Sequence, residues 1–560
     1  ALVTLFEAPD HDVVNNAPLA ARELQRAVTC TQAAALTRHL AVDPAEKEAE
    51  TQLQKKLMEA RTLYAAGKYA AGAEKLNEGI PPSAPPTAQA EAYLLLARLE
   101  VKRGNPALER NANLNAAVQG LKSGDQALIA RGLSRLSLNA ALEEENGSLG
   151  DAEAWDRLAA AAAARVPGDW EVQVELSRNE GLVDLRRKRY KQALASFERV
   201  LELQQKHLGD EHPEVASTLN NLGTTLTYLN RFDEAVSRYD ESLRLHEKLE
   251  GEDHPNVALA LHNLGVALRR MGRFADARAP LERSMRLRKK TLGASHKDTL
   301  TVSQSLARLL ITLGDLEAAG VLLAELRETR VQLNGADSPE LLPVLESETE
   351  LLLAGEYWRE AAERAAMYLA LAKAHAEKEV PSALLLQARA WTQLGAWADA
   401  RKVLGELQRR LAAGEKGLEG AAVAEQLGRL ELAQGNLELA LPQLRRAVEL
   451  RGKDVTPSQG PVAGQAELAL AQALLLAKQP AEALPFAASA VQRFTEAHAE
   501  RLLVEAQLID SQARFLANPD AGVESATVLV SLMPKLPEPR RVIVAEWMRR
   551  QGLSPDAGAP

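Results

Sequence analysis

One stretch of 42 residues follows itself without a gap. From Pro213 to His254 the chain reads PEVASTLNNLGTTLTYLNRFDEAVSRYDESLRLHEKLEGEDH, and from Pro255 to His296 it reads PNVALALHNLGVALRRMGRFADARAPLERSMRLRKKTLGASH. A unit of this length is too small to bury its own apolar face. A chain built from such units must stack each copy on its neighbours, so the period constrains the fold before composition is considered.

Each copy reads as two helices. In the first of them Leu219, Leu222, Gly223 and Leu226 follow the tetratricopeptide spacing W-x2-L-G-x2-Y, with apolar residues in place of the aromatics. The small Gly223 lets a partner helix come close. Asn230 and Arg231 break the helical period at a turn, where other copies have Lys188-Arg189, Gly272-Arg273 and Gly314-Asp315. Phe232, Ala235 and Tyr239 then supply the A-x3-F element of a second helix. One period back, the same positions hold Gly181, Tyr190, Ala193 and Phe197; one period beyond His296 they hold Ala307, Leu316, Ala319 and Leu323. Pro213, Pro255, Pro339 and Pro381 are separated by multiples of 42, as expected where Pro opens a first helix and its missing N–H costs nothing.

Looser copies of the same turn-plus-helix pattern flank this centre, at 65–79 and 102–118 on one side and at 394–407, 434–450 and 477–494 on the other. The expectation is an all-α, right-handed superhelical α-solenoid of about a dozen tetratricopeptide-like hairpins. Its parts read as an N-terminal helical cap (1–45), degenerate helical repeats (46–170), regular 42-residue repeats (171–338), further degenerate repeats (339–550) and a disordered tail (551–560).

The regular copies resemble the long tetratricopeptide repeats of kinesin light chains and their bacterial relatives, in which units are joined by a G-x-x-H-P loop. Here those loops read LGDEHP (208–213), EGEDHP (250–255) and LGASHK (292–297). The N-terminal run ALVTLFEAPDHDVVNNA, then Cys30, then ARTLYAAGKYAAGAEKL (60–76), resembles the segment leading into the repeats of myxobacterial-type serine/threonine kinases. That resemblance implies a regulatory or sensory arm of a bacterial signalling kinase whose catalytic domain lies upstream, and a chain beginning with Ala fits a fragment of something longer. The alternative is a stand-alone adaptor with no enzyme attached.

A stacked array has one concave face, lined by the first helices, and function is expected there. Asn179, Asn221 and Asn263 form a ladder one period apart. The resemblance places such a position on the groove of repeats that clamp extended peptides, and an amide offers a donor and an acceptor to a peptide backbone. An equally weighted reading bonds each Asn to the neighbouring hairpin. Other groove positions include Asn220, Tyr228 and His262, together with Arg178, Arg186, Arg269, Arg270 and Arg308 against the single acid Glu175. Five arginines to one acid predict a positive inner surface suited to acidic or C-terminal carboxylate segments of partner proteins, with self-association as a further option. Substituting Arg269 and Arg270 by Glu tests this.

Several chemistries are disfavoured. His212, His254 and His296 recur at 42, but packed helices about 10 Å apart keep them from converging on one metal ion, so they are expected to stabilise the loops they sit in. Phosphate-binding, zinc-protease, nucleophile-elbow and kinase motifs are missing from the sequence, which predicts no catalysis and no cofactor. Cys30 with His39 reads as a buried apolar thiol rather than a nucleophile pair. A net charge of -9 disfavours nucleic acid. Apolar residues make up 46% and aromatics 4%, the balance of Ala- and Leu-rich helix packing, with no run long enough to span a membrane. One cysteine and no visible secretory signal point to the cytoplasm.

Overall fold

The computed structural model describes residues 44–142, 149–414, 419–452, 460–518, 522–535, 538–551 and 553. Cys30, His39 and nearly all of the expected N-terminal cap lie outside these, as does the expected tail apart from Gln551 and Leu553. Among the described residues the regular elements are twenty-five α-helices and three single 3-10 turns, with no strand. The chain is an all-α solenoid of helical hairpins.

Contacts divide it into two units, Ala1–Ala267 with Arg283–Thr291 and Leu268–Glu282 with Leu292–Pro560. In the first unit the first helices of successive hairpins are α1 (Pro44–Ala65), α3 (Pro86–Arg103), α5 (Gln126–Leu142), α7 (Trp170–Arg186), α9 (Pro213–Tyr228) and α11 (Pro255–Arg270), whose residues from Leu268 on count with the second unit. Their partners are α2 (Tyr69–Asn77), α4 (Pro106–Ser123), α6 (Leu149–Ala163), α8 (Tyr190–Leu208), α10 (Phe232–Glu250) and α12 (Phe274–Leu292), of which only Arg283–Thr291 counts with the first unit. The second unit continues with α13 (Lys297–Leu313), α15 (Leu342–Ala354), α17 (Val380–Leu394), α19 (Gly420–Ala433), α21 (Gly460–Leu476) and α23 (Glu500–Ala517) as first helices. These pair with α14 (Leu316–Asn334), α16 (Trp358–His375), α18 (Trp397–Ala412), α20 (Leu437–Gly452), α22 (Pro480–Glu496) and α24 (Gly522–Leu532), and α25 (Glu538–Arg550) follows.

The packing within a hairpin follows from its smallest residue. A Cβ at Gly223 would lie 2.8 Å from the Tyr239 ring and one at Gly181 2.9 Å from Phe197, so these two glycines let a buried aromatic lie flat against the first helix. Tyr239 Oη is 3.0 Å from Thr224 Oγ1, which satisfies the one polar atom of the ring. The repeat is also exact in its polar ties. Ser242 Oγ donates to the Ala216 carbonyl at 2.7 Å, and Ser284 Oγ, one period on, donates to the Ala258 carbonyl at 2.6 Å.

The loops between hairpins explain the three periodic histidines. His212 and His296 each precede a first helix and accept, through Nδ1 at 3.2 Å, the backbone N–H two residues on, at Glu214 and Asp298, while His254 Nδ1 stands 3.2 Å from the Asn256 N–H and 3.1 Å from the Glu250 carboxylate. They cap helices, which is how they stabilise their loops. Pro213 and Pro255 open α9 and α11, whereas Pro339 opens the single turn Pro339–Leu341 ahead of α15, and Pro381 is the second residue of α17.

The turn inside each regular hairpin carries one residue with positive φ. In five successive copies this falls at Lys188, Asn230, Gly272, Gly314 and Glu356, each 42 residues after the last. The period therefore persists in the backbone to Glu356, past the point where side-chain similarity fades. Lys188 and Glu356 hold φ of 59° and 64° without the glycine that such a conformation favours.

Both units close on themselves. In the first, a Cβ on Gly67, just past α1, would be 3.1 Å from Pro255 Cδ at the start of α11. In the second, the same position after α13, Gly314, faces Arg501 Cβ at the start of α23 at 4.0 Å. In each case the end of one first helix meets the beginning of another five hairpins later. Six first helices thus surround an interior in each unit.

Candidate functional site

The interior of the first unit is filled by charge. Glu175 on α7 receives Arg131 Nε at 2.8 Å and Arg135 Nε at 2.5 Å from α5, and Arg178 of its own helix lies 3.6 Å away. Burial alone would push this carboxyl up, but Arg135, Arg131 and Arg178 outweigh it and hold the group well below the usual carboxylate range. From α3, Arg98 stacks 4.9 Å from the centroid of the Tyr64 ring on α1 and is drawn electrostatically to Glu214 and Glu175. Burial also raises the Tyr64 phenol, yet Arg98, Lys102 and Arg178 bring it below its ordinary value. Side chains of α1, α3, α5 and α7 therefore meet across the interior, which narrows it.

The sequence-predicted groove residues are distributed between the two units. Asn179, Asn220, Asn221, Asn263, Arg178, Arg186, Tyr228 and His262 belong to the first unit, and Arg269, Arg270 and Arg308 to the second. Asn179 is buried and its Nδ2 donates to Ser134 Oγ at 2.9 Å; Asn263 Nδ2 donates to Asn220 Oδ1 at 3.0 Å. For those two rungs the amide bonds the preceding hairpin. Asn221 is half-buried and its carbonyl accepts from Thr225 Oγ1. Tyr228 is exposed and stacks on Tyr190 with centroids 5.0 Å apart. Arg186 is exposed and His262 half-buried.

The expected excess of positive charge is smaller than five to one, because acids from outside the window 175–312 enter. Arg308 pairs with Glu346 of α15 and donates to Ser347 Oγ at 3.2 Å. Arg269 differs: its Nε is buried without a partner, and burial, then Arg308, then Arg270 push its guanidinium down. Arg270 is half-buried beside it.

A cavity of about 160 Å3 lies in the interior of the second unit, lined by first helices that the sequence pattern did not single out. Its polar wall carries Arg389 on α17, Glu425 and Arg429 on α19, and Arg501 and Glu505 on α23. Four amides, Gln393, Gln426, Gln465 and Gln472, line it from three successive first helices, over an apolar floor of Leu353, Leu468 and Leu502 with Trp358. Most of the charges are committed. Glu425 accepts Arg429 Nε at 3.0 Å through one oxygen and Arg451 Nη2 at 3.2 Å through the other. Arg429 also donates to the Gln465 carbonyl at 2.9 Å, and Arg501 is 3.7 Å from Glu505.

Arg389 is the exception. Among the described residues its guanidinium makes no hydrogen bond and no ion pair. Burial pushes it down from its ordinary value; Glu425 and Glu350 counter this at longer range, while Arg429 and Arg501 add to it. A cation so placed favours an incoming anion, and the amides around it suit a peptide backbone. One signal could have found it: the ladder Asn179, Asn221, Asn263, carried forward three periods of 42 through Ser305 and Ser347, lands on Arg389.

Family profiles agree with the hairpin repeats. Tetratricopeptide-repeat family profiles match residues 172–248, 214–290 and 256–328, and a second such profile matches 425–498. The latter stretch includes six residues that line the cavity, Glu425, Gln426, Arg429, Gln465, Leu468 and Gln472. No curated protein matches the chain in sequence. Among solved structures, nearly identical repeats of a putative kinesin light chain from Podosopora anserina share 23% identity, covering 37% of this chain and 98% of that one with a TM-score of 0.33. BtubC (BKLC) from P. vanneervenii shares 18% over 52% of this chain and 94% of its own, with a TM-score of 0.29. A Rap protein complexed with competence and sporulation factor shares 11% over 65% and 98%, with a TM-score of 0.44. No helix of the described residues is long and apolar enough to cross a membrane.

Proposed function

We propose that this tetratricopeptide-repeat chain is a protein-interaction scaffold that takes a peptide segment of a partner into the interior of its second unit, where Arg389 receives a carboxylate. The observation that carries the reading is the uncommitted guanidinium of Arg389 in a cavity where Arg429 and Arg501 are already paired with Glu425 and Glu505. Four glutamines give the backbone of an extended segment both donors and acceptors, and the apolar floor accommodates one side chain. A cavity of about 160 Å3 admits a chain end or a single acidic side chain, so the partner is recognised by a short acidic or C-terminal segment.

The test is an array of acidic peptides, each synthesised with a free and an amidated C-terminus, titrated against the full chain by fluorescence anisotropy. Arg389→Ala is expected to weaken the peptides that bind by about tenfold or more, the scale of one charge-assisted hydrogen bond, while Arg389→Lys restores part of the loss. Equal affinity for the parent chain and Arg389→Ala excludes this site. Arg269→Glu with Arg270→Glu separates it from the earlier groove expectation, since only the latter predicts loss there.

Attachment of the scaffold to an enzyme is a further part of the proposal. It rests on the resemblance of residues 1–76 to the segment that follows the catalytic domain in kinases carrying such repeats, and the stand-alone adaptor remains the alternative. The reading frame upstream of Ala1 decides between them: a kinase domain there supports the regulatory arm, and a start codon immediately before Ala1 the adaptor.

A further inference from the structure

We infer that the first unit carries a polar gate: the seam where the α1–α2 turn and the end of α3 meet the α10–α11 loop opens as a unit and controls entry to the interior faced by Tyr64, Arg98, Glu175 and Arg178. The seam joins segments more than 150 residues apart in sequence. Lys102 Nζ donates to Asn256 Oδ1 at 3.2 Å across it, with a sequence separation of 154. Asn256 Nδ2 in turn donates to both oxygens of Glu250 at 3.1 Å. Glu250 is the buried keystone, 2.5 Å from His246 Nδ1 and 3.1 Å from His254 Nδ1. On the facing side Gly67 abuts Pro255, and Tyr69 lies close enough to Glu250 for its phenol to feel that charge.

The seam differs from the apolar junction between α8 and α9. Successive hairpins are joined by apolar surfaces such as Ala193, Phe197 and Leu222, which cannot separate without exposing hydrocarbon to water. Across the seam the polar tie is one ammonium on one amide, Lys102 on Asn256, both of which water can solvate, beside the close approach of Gly67 to Pro255, while Glu250, His246 and His254 all lie on the α10–α11 side, so opening exchanges that hydrogen bond for hydrogen bonds to water. His254 Nε2 is buried with no partner, and its ring faces Gly67 across the seam, where opening would admit water to it. Closure, meanwhile, has a direct consequence inside. Arg98 and Tyr64, on the helices that the seam holds in place, stand against Glu175, Glu214 and Arg178 on α7 and α9. Parting the seam moves α1 and α3 away from α7 and α9 and widens the interior without breaking any hairpin.

The test uses the full chain with Cys30→Ser and a thiol introduced in the interior by Arg178→Cys. Its alkylation is timed with small iodoacetamide and with a bulky polyethylene-glycol maleimide. Lys102→Glu sets a second carboxylate against Glu250 across the seam, and Asn256→Ala removes the bridging amide. Each is expected to speed the bulky reagent at least tenfold while changing the small one less than twofold, with the far-UV circular dichroism unchanged. Equally rapid bulky labelling with and without the seam substitutions would show an interior already open and overturn the gate. Parallel acceleration of both reagents would show unfolding in place of gating, and overturns it equally.

Discussion

Glu175 is one carboxylate shared by several guanidiniums, with only 7% of its side chain exposed. Replacing it by Gln keeps the shape and leaves Arg131 and Arg135 facing each other without a counter-charge. Breaking a buried pair in this way costs roughly 3 kcal/mol, the lower end of the range for such losses because Arg131 keeps a quarter of its side chain exposed. The pH dependence has a definite sign. A carboxyl held below its unfolded value near 4.3 contributes stability that is present above that pH and is lost as pH falls toward the depressed folded value. The gap in urea midpoint between the parent chain and Glu175→Gln is therefore expected to be full at pH 6 and to shrink below about pH 4; a constant gap to pH 3 is incompatible with the shift. Arg389 shows the opposite use of a buried guanidinium, left without a direct partner. The two positions differ in that Glu175 pairs directly with Arg135, whereas Glu425 on the first helix beside Arg389 is committed to Arg429 and Arg451.

At the scale of the element, the histidine before each regular first helix is a cap with a measurable worth. His212→Ala removes the acceptor from the Glu214 N–H and is expected to cost about 1 kcal/mol locally, while His212→Ser, a better capping residue, holds or improves on the parent. Amide exchange reads this directly: the Glu214 and Val215 amides should exchange about fivefold faster in the Ala variant, and an unchanged rate there refutes the capping role. The turn inside the hairpin keeps the same period. Its left-handed residue recurs every 42 positions whether it is Gly272, Gly314 or the strained Lys188 and Glu356. The geometry of a hairpin fitted to its neighbours overrides the local preference of the residue that must adopt it.

On the scale of the whole molecule, a stacked array has no single core, so its unfolding is not expected to be all-or-none. Tryptophan fluorescence reports mainly on the second unit, which holds Trp358, Trp391, Trp397 and Trp547, while far-UV circular dichroism reports on all helices. The two transitions in guanidinium chloride are expected to differ, and coincident curves would contradict the array picture. The period, the hairpin, the prolines at α9 and α11, and the glycine beneath Tyr239 were all legible in the amino-acid order, because each arises from contacts within one copy or between adjacent copies. The cavity was not. It forms where α15, α17, α19, α21 and α23 face one another around a closed turn, and residues such as Arg429 and Arg501 share no local pattern. The ladder position did point to Arg389, yet the order of residues could not say that Asn179 and Asn263 would bond their neighbours while Arg389 would not. Local periodicity determines which helices form and how neighbours stack. Only the closure of the turn, through Gly67 on Pro255 and Gly314 on Arg501, decides which side chains meet across the interior, because that distance accumulates over five hairpins and is encoded in none of them alone.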